Sequence, residues 1–176
     1  MLRISDTAAA RGQRVELPQR YDLALVEWLR GDHSISTDRE RLDREAIHAF
    51  LRESYWAQGI PREVVDRSID HSLCFGLYER TRQIGFARVV TDSSTFAYLA
   101  DVFVLDAYRR RGLGKWLIEV IRNHPDLQGL RRWMLATRDA HSLYSAFGFR
   151  PLQKPERIME IVDPDVYKRS GSGKES

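Results

Sequence analysis

Cysteine is nearly absent: Cys74 is the only one in 176 residues, so no intrachain disulfide can form. It lies in the apolar run 72–78, SLCFGLY, and reads as a small buried hydrophobe rather than a nucleophile. No apolar run approaches the ~20 residues that span a bilayer, so no membrane segment is expected. The N-terminus has basic residues but no apolar core of a secretory signal, which makes the cytoplasm the default location. No spacing of His, Cys, Asp and Glu resembles a metal site, and no metal is expected. There is no internal repeat and no long basic tail. The 28 Lys and Arg against 25 Asp and Glu leave a net charge of +3, with basic residues clustered at 109–111 and 131–132. A nucleic-acid surface is therefore not required by the charge. The hydrophobic content of 43% and charged content of 30% suit one globular domain with a single well-buried core.

Two common phosphate-binding signatures are also missing. A Walker A loop needs GxxxxGK followed by Ser or Thr, whereas Gly114-Lys115 is followed by Trp116 and preceded at five residues by Arg109. A dinucleotide fingerprint needs a third glycine, and the stretch 112–117, GLGKWL, has only two.

What is present is a strand, a loop and a helix in sequence. Residues 99–105, LADVFVL, are rich in β-branched and aromatic side chains and predict a buried strand. After the turn Asp106-Ala107-Tyr108 come Arg109, Arg110 and Arg111, then Gly112-Leu113-Gly114. From there Leu113, Leu117, Val120, Ile121 and His124 mark one face of an amphipathic helix that Pro125 stops. A helix N-terminus offers unpaired N–H groups and partial positive charge, and glycines let a ligand approach bare backbone. Arginines just before it add forked donors for phosphate oxygens. The physical reading is a pyrophosphate cradle.

Around this core, residues 1–31 read as a weakly determined N-terminal extension, with 21–30 able to form a short helix or strand. A first strand is expected at 33–38, helices at 43–54 and 62–72, and strands at 73–78, 84–91, 95–105 and 132–137. Asp139 is expected to cap a short helix over 140–147 that Gly148 closes. Two final strands, at 149–152 and 156–162, are expected as a hairpin across Pro155. The domain is placed at 32–165 and the tail, 166–176, is expected to be disordered; its end, 170–176, is rich in Gly, Ser and Lys.

The motif Arg109-Arg110-Arg111-Gly112-Leu113-Gly114 resembles the Arg/Gln-x-x-Gly-x-Gly/Ala motif of the GCN5-related N-acetyltransferase (GNAT) superfamily. A second stretch, 140–149, AHSLYSAFGF, is similar to the superfamily's Ala-x-x-Leu-Tyr-x-x-x-Gly-Phe. The expected element order matches as well, so the resemblance spans about 35–161. It implies an α/β GNAT fold, with a central twisted mixed sheet of six to seven strands flanked by about four helices. It implies an N-acetyltransferase that uses acetyl-CoA as co-substrate and a small-molecule or peptide amine as acceptor, by direct attack in a ternary complex. Nucleic acid and membrane are not expected as partners, and exposed sheet edges leave room for a homodimer.

By the same resemblance Arg109, Arg110, Arg111, Gly112, Leu113, Gly114 and Lys115 bind the coenzyme pyrophosphate. The backbone of Phe103 and Val104 pairs with its pantetheine arm, and Tyr144 stands at the general-acid position beside the sulfur. Thr137 replaces a common pantetheine-binding Asn and can offer one hydroxyl bond in its place. Asp106 and Arg110 replace a usual proline and glycine, which is tolerable if the loop needs no special φ there. Asp101, a carboxylate within an apolar strand, is the leading general-base candidate; the alternative is a structural hydrogen bond. Tyr55 and Trp56, between the first two helices, either contact the acceptor or plug the core. His141 could titrate near neutrality but sits in the first turn of a helix. Two other readings stay open, a coenzyme-binding sensor without catalysis and, more weakly, a nucleic-acid binder.

Overall fold

A computed structural model describes residues 25–169. One six-stranded sheet runs in the order β1 (Glu27–Arg30), β2 (His33–Ser36), β3 (Leu73–Glu79), β4 (Arg82–Thr91), β5 (Phe96–Val104), β6 (Arg132–Met134). Neighbours are antiparallel except β5 and β6, which are parallel. The helices are α1 (Arg44–Glu53), α2 (Arg62–Asp70), α3 (Leu113–Arg122), α4 (His141–Ser145) and the short α5 (Val166–Arg169). This is the mixed α/β sheet flanked by helices that the resemblance implied, with six strands and, instead of about four, five helices among the described residues.

The two faces of the sheet bury separate apolar clusters. Alternation along β3 sends Leu73, Phe75 and Leu77 into the cluster that holds Leu117 and Ile121 of α3, and Cys74 into the cluster of Ile47, Leu51, Val65 and Ile69 from α1 and α2. β5 breaks this alternation. Its pairing with β4 slips between Phe86↔Phe103 and Arg88↔Ala100, so β5 carries one extra residue there. Asp101, at φ +53°, absorbs the bulge in left-handed backbone. As a result Ala97, Leu99 and Val104 all reach the α3 cluster, while Phe103 turns to the α1 side and stacks on Phe50 with ring centroids 3.8 Å apart.

β5 also outruns its other neighbour. The last β5–β6 pair is Tyr98↔Met134, so residues 99–104 have no strand on that side.

Several details differ from the sequence expectation. β1 occupies the end of the 1–31 stretch and forms the sheet edge; the rest of that stretch, 1–24, lies outside the described residues. The strand expected at 33–38 is thus the second of the sheet. No strand forms at 149–152 or 156–162, and the described C-terminal part instead has a 3-10 turn at Pro155–Arg157. Pro151 and Pro155 remove backbone donors, and Ile158, Met159, Ile161 and Val162 stay exposed instead of sharing one buried face. Within the expected tail, residues 166–169 form α5, and 170–176 lie outside the described residues. Asp139 does not cap α4: Ala140 holds the N-cap position, and its N–H donates to Thr137 Oγ1 at 3.1 Å.

His124 is fully buried just past α3, against the rings of Trp28 and Phe75. Its Nδ1 accepts from Asp126 N–H at 3.2 Å, and its Nε2 has no partner. Burial lowers its pKa below the ordinary 6.5, although the Asp126 carboxylate works in the other direction. The unfolded chain then binds more protons in acid, so this contribution is whole above pH ~6.5 and is lost as pH falls below it. Thermal denaturation should show Tm dropping from pH 6.5 to 5, and His124→Gln should flatten that part of the slope.

Candidate active site

The loop after β5 turns through a 3-10 segment at Asp106–Tyr108 and enters α3 at Gly112. Gly112 has φ +75°, and a Cβ there would meet nothing within 4 Å, so backbone conformation rather than space calls for glycine. Arg110 also takes positive φ, +65°. The loop therefore does need a special φ where glycine is usual, and an arginine supplies it at some conformational cost. No side chain caps α3. Its first turn ends with Trp116 N–H donating to Gly112 O at 3.0 Å, which leaves the N–H groups of Leu113, Gly114 and Lys115 ahead of the helical ladder. The N-terminus thus points bare donors outward.

A groove of about 900 Å³ joins this helix end to the unpaired edge of β5. Arg109, Arg110, Gly112, Leu113 and Gly114 line one end, and Tyr144 lies along it with Phe103 and Val104. Leu105 N–H donates to Ile84 O at 2.8 Å, so Leu105 faces β4. The alternation of an extended strand then turns the N–H and C=O of Val104 to the open edge. There Val104 O accepts from Arg109 Nε at 3.1 Å, and Arg109 also pairs with Asp106 at 2.9 Å. Arg111 and Lys115 do not line the groove. Arg111 lies over the Tyr108 ring, donates to Ala107 O at 3.0 Å and faces Glu79 at 3.8 Å.

A second cavity, about 670 Å³, contains Asp101, Arg88, Tyr98 and Thr137. Tyr55, Trp56, Val102, Arg138, Ala140 and Tyr144 border both spaces. Tyr55 and Trp56 are 44% and 42% exposed, so they do not plug the core. Tyr55 instead ties the α1–α2 connection to the loop after β6: its hydroxyl accepts from Arg138 N–H at 3.1 Å, and the Arg138 guanidinium lies 3.8 Å from its ring centroid. Thr137 falls outside the 900 Å³ groove, and its Oγ1 is engaged by Ala140 N–H.

Asp101 is held from two sides. Arg88 Nε donates to Oδ2 at 2.7 Å and Trp56 Nε1 to Oδ1 at 3.3 Å, with the Arg88 and Asp101 side chains only 17% and 12% exposed. Sequence reasoning missed Arg88, since nothing in the pattern of β4 marks one arginine as the partner of a bulge residue on β5.

Tyr144 is 9% exposed, and burial pushes its phenol up to about 12, with the nearby Tyr55 and Asp139 adding to the shift. Among the described residues its hydroxyl has no hydrogen-bond partner, so it is a neutral donor free to act toward the groove. Burial likewise raises the Cys74 thiol to about 12, which leaves it unreactive at neutral pH. Among the described residues no group of His, Cys, Asp and Glu could hold a metal ion, and no helix is long and apolar enough to cross a membrane.

Comparison with known proteins identifies the fold that carries this groove. The model of the acetyltransferase (GNAT) domain matches residues 70–151. A candidate acetyltransferase of Gibberella zeae is 34% identical over 140 residues, 66% of this chain and 78% of that one. A solved candidate acetyltransferase of the GNAT family from Xanthomonas campestris pv. campestris is 51% identical, with a TM-score of 0.75 over 77% of this chain and 96% of that one. The chain belongs to the GNAT acetyltransferase family. The same fold recurs in a candidate acetyltransferase from Clostridium acetobutylicum solved with acetyl-CoA, at 12% identity and a TM-score of 0.55 over 74% of this chain and 94% of that one.

Gly114 gives a direct test of the expected pyrophosphate cradle. A Cβ built there meets only Val104 Cγ2, at 3.9 Å, so the protein without ligand has room for it. Gly114→Val should keep the fold, because valine is the better helix former, yet place a branched side chain where an anion must approach the backbone. Calorimetric titration should show acetyl-CoA binding weakened by at least about tenfold, or ~1.4 kcal/mol, with Tm unchanged or raised.

Proposed function

We propose that the protein transfers an acetyl group from acetyl-CoA to a primary amine by direct attack within a ternary complex. The observation that carries this reading is the meeting of two cavities at Tyr144, one ending at the bare N-terminus of α3 and the other holding Asp101. Coenzyme and acceptor would enter from opposite sides and react where the spaces join.

On this reading the N–H groups of Leu113 and Gly114, with Arg109 and Arg110, hold the pyrophosphate. The N–H of Val104 holds and polarises the acetyl carbonyl, so charge developing on that oxygen meets a fixed dipole. The amine nitrogen bonds to the carbonyl carbon as the carbon–sulfur bond breaks. Tyr144 supplies the proton taken up by the departing sulfur, and its burial keeps that proton in place at neutral pH. Before attack the ammonium loses one proton toward Asp101, directly or through water; after attack the nitrogen loses a second to solvent, from which Tyr144 is reprotonated. The single buried thiol suits a reducing compartment such as the cytoplasm.

A second reading, a coenzyme-binding sensor without turnover, draws support from the engagement of both Asp101 oxygens by Arg88 and Trp56. Substitution at Tyr144 separates the two. Tyr144→Phe keeps the ring and its contact with Phe149, 5.9 Å between centroids. In an assay of thiol release with an active amine, kcat should fall by about a hundredfold while acetyl-CoA affinity changes by less than ~1 kcal/mol. Wild-type kcat in the variant would remove the acid role.

The phenol at about 12 also fixes the pH profile. No alkaline loss of kcat belonging to Tyr144 should occur below about pH 11, whereas an ordinary tyrosine would titrate near 10. Differential scanning fluorimetry tests the coenzyme itself: Tm should rise with the logarithm of acetyl-CoA excess, and an unchanged Tm at millimolar concentration would refute the whole reading.

A further inference from the structure

The walls of the 670 Å³ cavity have a chemistry of their own. Besides Tyr55 and Tyr144, which it shares with the groove, aromatic side chains line it from three further places: Trp56 from the α1–α2 connection, Tyr98 from β5, and Tyr167 from α5. Tyr98 and Tyr167 are half-buried although they adjoin open space, and Ile60 and Val64 continue the apolar wall. Tyr167 packs against the α1–α2 cluster, while the rest of α5 is exposed and braced by Lys168–Asp165 at 2.7 Å and by an Arg169–Asp163 ion pair. The segment thus brings a single ring to the cavity, from beyond residues 70–151 that match the family.

The charged groups on the walls cancel in pairs. Arg88 and Asp101 lie 2.7 Å apart, and Arg138 and Asp139 lie 3.8 Å apart. Asp101 is the buried carboxylate of these walls and Asp139, 64% exposed, faces Arg138, so the walls offer one site for an ammonium group and none for a second or third. A polyamine or aminoglycoside bound here would bury cations without counter-charges, which is costly. An apolar ring gains from the same walls, by burial and by offset or edge contacts with Trp56, Tyr98 and Tyr167. The volume lies in the ordinary range for small-molecule sites.

We infer that the acceptor is a small primary amine with one basic nitrogen on an aromatic body, and that Tyr167 is a specificity-determining residue that holds that body. This rests on the proposed acetyl transfer, with the nitrogen directed to Asp101 and Tyr144 and the ring held at the opposite end by Tyr167.

The test compares phenethylamine and tryptamine with spermidine, kanamycin and a lysine-containing peptide, following thiol release from acetyl-CoA with the full chain. The aromatic monoamines should exceed the others in kcat/KM by at least about tenfold. Tyr167→Ala should raise KM for phenethylamine by about tenfold or more and leave KM for acetyl-CoA within about twofold; Tyr167→Phe should restore the wild-type value. A preference for spermidine, kanamycin or the peptide, or a Tyr167→Ala variant with unchanged phenethylamine KM, would overturn the inference. Calorimetric binding of phenethylamine to the protein saturated with CoA reads the cavity without turnover. Binding that Tyr167→Ala abolishes supports the inference even if no amine is acetylated, which would count against the transfer reading alone. No binding, in a protein that still binds acetyl-CoA, overturns the inference and leaves the coenzyme reading standing.

Discussion

From residue 99 to residue 104, β5 has no neighbour on its β6 side, because β6 ends at Met134 while β5 runs on to Val104. Unpaired backbone groups inside a protein are costly unless something satisfies them. The fold sets this open edge between two cavities, where solvent or a ligand can reach it. The bulge at Asp101 belongs to the same constraint. By adding one residue it turns Phe103 onto Phe50 and Val104 toward α3, so the strand end is gripped from both faces while its edge stays free.

The charge layout follows from that geometry. The glycine loop collects bare N–H groups and arginines at the α3 end of the groove, where an anion is favoured. The carboxylate of Asp101 lies off the groove, in the other cavity, and shares its charge with Arg88. Tyr144 stands where the two spaces meet, and burial raises its phenol further above the usual tyrosine range. The Tyr55–Arg138 contact spans the same junction from the opposite wall.

Much of this was legible from residue order. The change from strand to helix period around 105–113, with two glycines and three arginines between, marked the loop and helix now seen. The second stretch, 140–149, marked the helix that carries Tyr144. Local chemistry determines such features, because a period, a cap or a glycine acts within a few residues. Cys74 was equally plain as a core residue from the run around it.

Other features depend on partners distant in the chain, and only the tertiary structure decided them. Whether Asp101 was alone or paired turned on Arg88, thirteen residues earlier but adjacent across β4 and β5. Whether residues 156–162 made a strand turned on finding a face to bury, and Ile158, Met159, Ile161 and Val162 stay exposed. Thr137 was expected near the coenzyme by its position in a pattern, and tertiary packing sets it on the second cavity, outside the groove, with its hydroxyl accepting from Ala140 N–H. The ring of Tyr167 reaches a cavity lined by residues of α2 and β5, far away in the chain, which no local period could announce. The sequence by itself determined the glycine loop and the helix it opens, the run of strands and helices from residue 33 to residue 145, and the tyrosine of the second stretch. The pairings across the sheet and the walls of the second cavity were decided by tertiary packing, because each joins residues that no local rule brings together.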